Sequence, residues 1–128
     1  LRMMLLDGAA KFCRQGRQGL ADKNFEAAFN GFSRTRNILV ELLGTMRPDP
    51  ADPSLIEKMR ALYGYLISRL ITASHEKDLQ AADEVIERLD YECETWRHLM
   101  QQLQQAQRQQ ASTHASANAS ATERVYSA

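Results

Sequence analysis

The sequence predicts an all-α protein: an antiparallel up-down-up-down four-helix bundle followed by a low-complexity C-terminal tail. Apolar residues recur at three- and four-residue steps along most of the chain, which is the spacing of one face of an α-helix. The three prolines all fall within the stretch RPDPADPS, so a single break divides two long helical hairpins. The short connection inside each hairpin makes its two helices antiparallel neighbours.

The first hairpin is predicted to hold one helix from about Leu1 to Leu20 and a second from Phe25 to about Met46. The segment ADKN ends the first helix, and Asn24 is a good N-cap for the second because its side chain can accept a backbone N–H of the first turn. The predicted inward residues are Leu1, Leu5, Ala9, Phe12, Cys13, Gly16 and Leu20 on the first helix, and Phe25, Ala28, Phe29, Phe32, Leu39, Leu43 and Met46 on the second.

The second hairpin is predicted to begin at Asp52 and Pro53, a typical cap followed by a proline in the first turn, and its first helix runs to about Glu76. Asp78 then caps the fourth helix, whose acidic first turns suit the positive end of the helix dipole. The predicted inward residues are Leu55, Met59, Leu62, Leu66, Leu70 and Ala73 on the third helix, and Ala82, Val85, Ile86, Leu89, Cys93, Trp96, Met100 and Leu103 on the fourth.

The composition changes after the fourth helix. Residues 1–104 are predicted to form the bundle domain and residues 105–128 a Gln/Ala/Ser-rich extension, which cannot build a core of its own. Either the fourth helix continues through this extension, or its end docks through Val125 and Tyr126. Because the chain begins without methionine inside an apolar-periodic segment, we also expect that an N-terminal piece is missing from it.

Composition and charge exclude several classes of protein. Hydrophobic residues make up 44% of the chain and charged residues 25%, the balance of an ordinary globular protein rather than a disordered one. The apolar runs MMLL and ILV are far too short to cross a membrane. Through Arg47 the chain has eight basic and four acidic residues, and after it eight and twelve, so the halves carry about +4 and −4. Neighbouring first and last helices would therefore attract each other.

Candidate residues for chemistry are few, and we predict no catalytic site, no bound cofactor and no metal site. His75, His98 and His114 do not share a helical face, and a solvated pair explains Glu94 and His98 better than a metal site does. The chain also has no glycine-rich phosphate loop and no arrangement of a nucleophile beside a base.

The cysteines and the basic residues of the first helix have ordinary explanations. Cys13 and Cys93 lie within apolar helical patterns, so we expect reduced core thiols in a cytoplasmic protein. Lys11, Arg14 and Arg17 could touch phosphates, but the neutral total charge and the acidic fourth helix argue against nucleic acid as a partner.

Three helices carry more apolar residues than the core of a bundle needs. The third helix has a second apolar row beside its core row, and Gly64 lies within that second row, where the absence of a side chain would let another helix approach closely. The surplus residues are Ile56, Tyr63, Gly64, Ile67 and Ile71 on the third helix, Ile38 and Leu42 on the second, and Met3, Leu6 and Ala10 on the first. Periodicity alone fits a groove for helices of another chain, a homodimer seam or a thick core equally well.

The segment MMLLDGAAKFCRQG resembles the opening helix of the FliS family of flagellin-specific export chaperones, in which Leu-Met-Leu-Tyr-Asp-Gly-Ala is typical. Asp7, Gly8 and Ala9 match this pattern, whereas Leu6 replaces the usual tyrosine. The likeness continues at KNFEAAF and is strongest over ALYGYLISRLITASHEKDLQAADEVIERLDYECETWRHL, so that it covers about Leu1 to Leu103.

This resemblance implies a bacterial cytoplasmic chaperone rather than an enzyme. Its partner would be the disordered C-terminal region of flagellin, which it would keep from polymerising prematurely and accompany to the flagellar export apparatus. The resemblance implies that the ten surplus residues bind the client: Met3, Leu6, Ala10, Ile38, Leu42, Ile56, Tyr63, Gly64, Ile67 and Ile71. The alternative is a structural homodimer that buries the same rows against a second copy.

Overall fold

The computed structural model describes the backbone of residues 1–126 and the side chains of residues 1–122. It contains four helices, which confirms the all-α fold: α1 (Arg2–Ala21), α2 (Phe25–Gly44), α3 (Leu55–His75) and α4 (Leu79–Tyr126). The chain divides into two units, Leu1–Cys93 and Glu94–Ala128. The first unit holds α1, α2, α3 and the first turns of α4, and the described part of the second unit is the rest of α4.

Two of the three predicted caps are confirmed. The Asn24 side chain accepts the Ala27 N–H at 3.2 Å, and one carboxylate oxygen of Asp78 accepts the N–H groups of Gln80 and Ala81 at 3.0 and 3.2 Å. These side chains satisfy backbone donors that the first turn of a helix leaves without a partner.

The predicted start of α3 at Asp52 is wrong. The helix begins at Leu55 after the N-cap residue Ser54, and Asp52 precedes it in a turn where its carboxylate accepts the Ser54 hydroxyl at 3.0 Å. At the other end of the chain, α4 continues through the Gln/Ala/Ser-rich segment, which is the first of the two alternatives for the tail. The expected docking through the side chains of Val125 and Tyr126 falls outside the described residues.

The backbones of α1 and α2 approach each other most closely at Gly16 and Gly31. A Cβ atom added to Gly31 would lie 2.5 Å from the backbone nitrogen of Gly16 and 2.7 Å from the carbonyl oxygen of Phe12. The buried Thr35 hydroxyl joins the same helices, because its oxygen is 2.9 Å from the Gly31 carbonyl oxygen and 3.3 Å from that of Ala9. The absence of side chains at Gly16 and Gly31 thus allows the backbones of α1 and α2 to contact each other.

The core of the first unit differs from the predicted stripes at its margins. Each helix contributes buried apolar residues: Leu6, Ala9, Ala10, Cys13 and Leu20 from α1, Ala28, Phe32, Leu39 and Leu42 from α2, Tyr63, Leu66, Leu70 and Ala73 from α3, and Ala81, Ala82, Val85, Leu89 and Cys93 from α4. Several predicted core residues are exposed instead: Leu1, Phe25, Phe29, Met100 and Leu103. Burial raises the pKa of the Cys13 thiol to about 12, so the thiol stays protonated, as expected of a core cysteine.

Ion pairs place α4 beside both α1 and α3, and the pair with α3 joins Arg69 Nε to Glu84 Oε2 at 2.9 Å. Arg14 pairs with Asp90, and Arg17 Nε lies 2.8 Å from Asp83 Oδ1, which confirms the expected attraction between basic α1 and acidic α4. These pairs are exposed, so they specify which helices are neighbours more than they stabilise the fold. Lys77 lies between α3 and α4, and its ammonium is 4.1 Å from the centre of the ring of Phe25, the first residue of α2.

The glycine contact between α1 and α2 gives a test with a matched control. Gly31→Ala should lower the free energy of unfolding by about 1–3 kcal/mol, because its new methyl group meets backbone atoms that cannot rotate away. Gly64→Ala should raise it by about 0.5–1 kcal/mol, since nothing lies within 4 Å of the added Cβ and alanine favours a helix. Urea unfolding followed by circular dichroism measures both, and equal effects would contradict the described packing.

Candidate functional site

A groove between α2 and α3 has an exposed apolar wall on each side. Its concave part measures about 60 Å³ and is lined by Phe29, Phe32, Ser33 and Arg36 of α2 and by Leu70, Ile71, Ser74 and His75 of α3. Phe32 and Leu70 are buried and form the floor, whereas Phe29 is 60% exposed and Ile71 is 51% exposed. Two large apolar side chains from different helices therefore face solvent at the same groove.

Helical spacing extends the same apolar edge beyond the concave part. Val40, which is 55% exposed, follows Phe29 by three turns and Arg36 by one, so all three lie on one side of α2. On α3, the half-buried Ile67 precedes Ile71 by one turn. Gly64 lies one turn before Ile67, and a Cβ added to it would have no neighbouring side chain or helix within 4 Å. The outer surface between α2 and α3 thus combines exposed apolar side chains with one position, Gly64, that carries no side chain.

The candidate residues on α3 divide into exposed and buried ones. Gly64 and Ile71 are exposed, and Ile56 and Ile67 keep part of their surface. Tyr63 is fully buried, and its hydroxyl accepts a hydrogen bond from Arg2 Nη2 at 3.2 Å. Burial raises the pKa of Tyr63 above its ordinary value. The expectation that Tyr63 lies on an open row is wrong, because its position around α3 is next to that of the core residue Leu70.

The candidates on α1 and α2 mostly cover one another. Leu6 and Leu42 are fully buried and Ala10 is 4% exposed, while Met3 and Ile38 are half-buried. The Ile38 Cδ1 atom lies 3.5 Å from the point where Gly8 would carry a Cβ, so this side chain points toward α1. For these two helices the surplus apolar surface is largely core, because their close approach lets each bury a wider face of the other.

Phe29 and Val40 are the groove residues that sequence reasoning missed. Phe29 is predicted to point inward, yet Phe25, Phe29, Arg36 and Val40 recur at steps of four and seven residues along one side of α2. This spacing can be read from the sequence. The spacing does not show, however, that α1 covers the side of α2 that carries Ile38 and leaves the opposite edge open.

Two further properties bear on the class of protein. Within residues 1–126, no helix combines the length and the apolar character that a membrane crossing needs. The described side chains also include no cluster of three or more His, Cys, Asp or Glu residues that could hold a metal ion. Holding an amphipathic helix in a groove between helices is a recurring mode of protein recognition, and the α2–α3 groove is a candidate for it.

A comparison with protein families identifies the family of the chain. The family model described as "Flagellar protein FliS" matches residues 1–103. The chain therefore belongs to the FliS family of flagellar export chaperones, and the match covers the segment over which the sequence resembles that family. A search of curated proteins found no match to the chain.

Alanine substitutions separate the core from the open edge. Tyr63→Ala should lower the free energy of unfolding by about 3–5 kcal/mol, because it removes a large buried side chain. Ile71→Ala should change it by less than about 1 kcal/mol, since half of this side chain already contacts water. Urea unfolding of the two variants provides the comparison. A loss at Ile71 as large as that at Tyr63 would mean that the groove wall is part of the core.

Proposed function

We propose that the chain binds the disordered C-terminal region of flagellin in the bacterial cytoplasm. Binding would keep flagellin from polymerising prematurely and support its delivery to the flagellar export apparatus. The observation that carries this proposal is the exposed apolar groove between α2 and α3 in a chain of the FliS family. Family membership supports the role of an export chaperone, and the groove supplies a surface on which a client helix can be held.

The groove suits an amphipathic helix that forms on binding. Such a helix would set its apolar face against Phe29 and Ile71 and pass over the open space at Gly64. Fully burying one large apolar side chain yields about 1.5–3 kcal/mol, and these side chains are already half-buried, so each would add about half of that. Ordering a disordered client offsets several kcal/mol of the gain. A tight complex therefore requires a client segment that contacts much more than this groove.

Covering the apolar face of the client explains how binding would prevent polymerisation. The side chains that let disordered flagellin segments associate would be buried on the chaperone while the complex lasts. Release would expose them again, and this cycle needs binding and dissociation but no bond-breaking step. We accordingly assign the chain no catalytic residue and no cofactor.

The ten client-binding residues predicted from the sequence have unequal roles in this proposal. Ile67 and Ile71, with Gly64 one turn before Ile67, would form the α3 side of the client surface, and Phe29 and Val40 would form the α2 side. Met3 and Ile56 keep some exposed surface and would extend it, whereas Ile38 is half-buried against α1 and would contribute little. The remaining four would support the surface from within the core, because their side chains are buried: Leu6, Ala10, Leu42 and Tyr63.

Calorimetry with a peptide of the flagellin C-terminal region tests the proposal. Ile71→Asp and Phe29→Asp should each weaken binding at least about tenfold, because a carboxylate would be desolvated in an apolar contact. Binding to the unchanged chain should show a negative heat-capacity change from apolar burial. Met4→Asp is the matched control, since Met4 is 73% exposed on α1 and does not line the groove. Circular dichroism checks that every variant keeps its helicity.

Absence of binding to the unchanged chain, or an equal loss of affinity in Met4→Asp, would rule out this assignment of the groove. Sedimentation at several concentrations addresses the alternative of a structural homodimer. A dimer that Ile71→Asp converts into monomers, together with no flagellin binding, would identify the groove as a dimer seam.

A further inference from the structure

A second groove lies on the opposite edge of α3, between α3 and α4. Its volume is about 400 Å³, within the range of about 300–1,000 Å³ that ligand-binding clefts in proteins occupy. Leu62 and Leu66 of α3 form the floor, and the rings of Tyr65 and Tyr91 form the walls. None of the ten candidate client-binding residues lines this groove.

Each aromatic wall is held in place by charged side chains. Tyr65 is 50% exposed, and its hydroxyl donates to the Glu84 carboxylate, which also accepts Arg69 Nε at 2.9 Å. Tyr65 and Arg69 lower the pKa of Glu84, so this carboxylate stays ionised and keeps both contacts. The Tyr65 ring is therefore hydrogen-bonded through its hydroxyl in the absence of any partner.

The other wall is supported in a similar way. Tyr91 is 61% exposed, and the guanidinium of Arg88 lies 4.9 Å from the centre of its ring. Arg88 Nη2 in turn donates to the carboxylate of the buried Glu92 at 2.9 Å. Aromatic side chains that are already ordered lose little entropy on binding, which makes them effective anchors for a partner.

The charge at the rim of the groove indicates what kind of segment would fit. Glu84 is engaged by Tyr65 and Arg69, and Arg88 by Glu92. Glu87 also lines the groove and is exposed, and it has no hydrogen-bond or ion-pair partner among the described residues. The Glu87 carboxylate can therefore attract a cation of a partner to the rim of the groove.

We propose that the α3–α4 groove is a second protein-docking site, which takes a segment carrying a bulky apolar side chain beside a lysine or arginine. The apolar side chain enters between the Tyr65 and Tyr91 rings and rests on Leu62 and Leu66. The neighbouring cation pairs with Glu87. Because the two grooves lie on opposite edges of α3, a partner at this site leaves the α2–α3 groove accessible.

Two matched peptides test this site on the full chain. The first is an alanine-rich helical peptide with two leucines one turn apart and a lysine beside them, and the second has glutamate in place of that lysine. With 3-fluorotyrosine in the chain, the lysine peptide should shift the fluorine signals of Tyr65 and Tyr91 but not that of the buried Tyr63. The glutamate peptide should bind about fivefold more weakly, and the difference should shrink at high salt.

Two variants make the test specific. Tyr91→Ala should weaken binding of the lysine peptide about tenfold, because it removes one aromatic wall. Glu87→Lys should reverse the preference between the two peptides, whereas Glu41→Lys, the same charge change at an exposed position of α2, should leave it unchanged. Neither Tyr91→Ala nor Glu87→Lys should alter the affinity for a flagellin C-terminal peptide.

Three results would overturn the proposal. Fluorine signals of Tyr65 and Tyr91 that do not respond to either peptide would show that the groove is not a docking site. Equal affinity for the two peptides would remove the role of Glu87. A loss of flagellin binding in Glu87→Lys would assign the groove to flagellin rather than to a second partner. If the unchanged chain does not bind flagellin but binds the lysine peptide as expected, the proposed function fails and the proposal for the α3–α4 groove stands.

Discussion

The contact between Gly16 and Gly31 decides which apolar surface of the molecule stays open. These residues let the backbones of α1 and α2 touch, so the apolar faces of both helices bury each other over a wide arc. Leu6, Ala10 and Leu42 become core residues as a result. The apolar residues on the other edge of α2 have no such cover, and they form the exposed wall of the groove beside α3.

Helix α3 has a different surface on each of its two edges. Toward α2 the edge is aliphatic, with Ile71 exposed and an open space at Gly64. Toward α4 it carries Tyr65, whose ring is held by hydrogen-bonded charges. The first surface suits the apolar face of a client helix, and the second suits a segment with both an apolar and a basic side chain. The two proposed docking surfaces therefore share no lining residue.

Features that depend on local chemistry were predictable from the sequence. Asn24 and Asp78 cap helices because a short polar side chain satisfies nearby backbone donors, whatever packs around it. The ion pairs between α1 and α4 follow from two oppositely charged segments that the topology makes neighbours. The family was also predicted from the order and spacing of short motifs along residues 1–103.

The open edge of the bundle was not predictable in the same way. The period of α2 marks both Phe29 and Leu42 as apolar, but only the positions of α1 and α3 determine that Leu42 is buried and Phe29 exposed. Gly31 is small enough for a close approach, but its place in the sequence does not determine that α1 is the helix that approaches it. Those choices depend on tertiary packing, which residue periodicity does not encode.

Isoleucine methyl groups provide the most direct measurement of where a client binds, because they lie on both the open and the covered sides of the bundle. Methyl NMR of the chain during titration with the flagellin C-terminal region would follow each of them. The α2–α3 groove predicts large shifts for Ile67 and Ile71 and much smaller ones for Ile38, which faces α1, and Ile86 on α4. Shifts confined to Ile38 and Ile86, or no shift at Ile71, would contradict it.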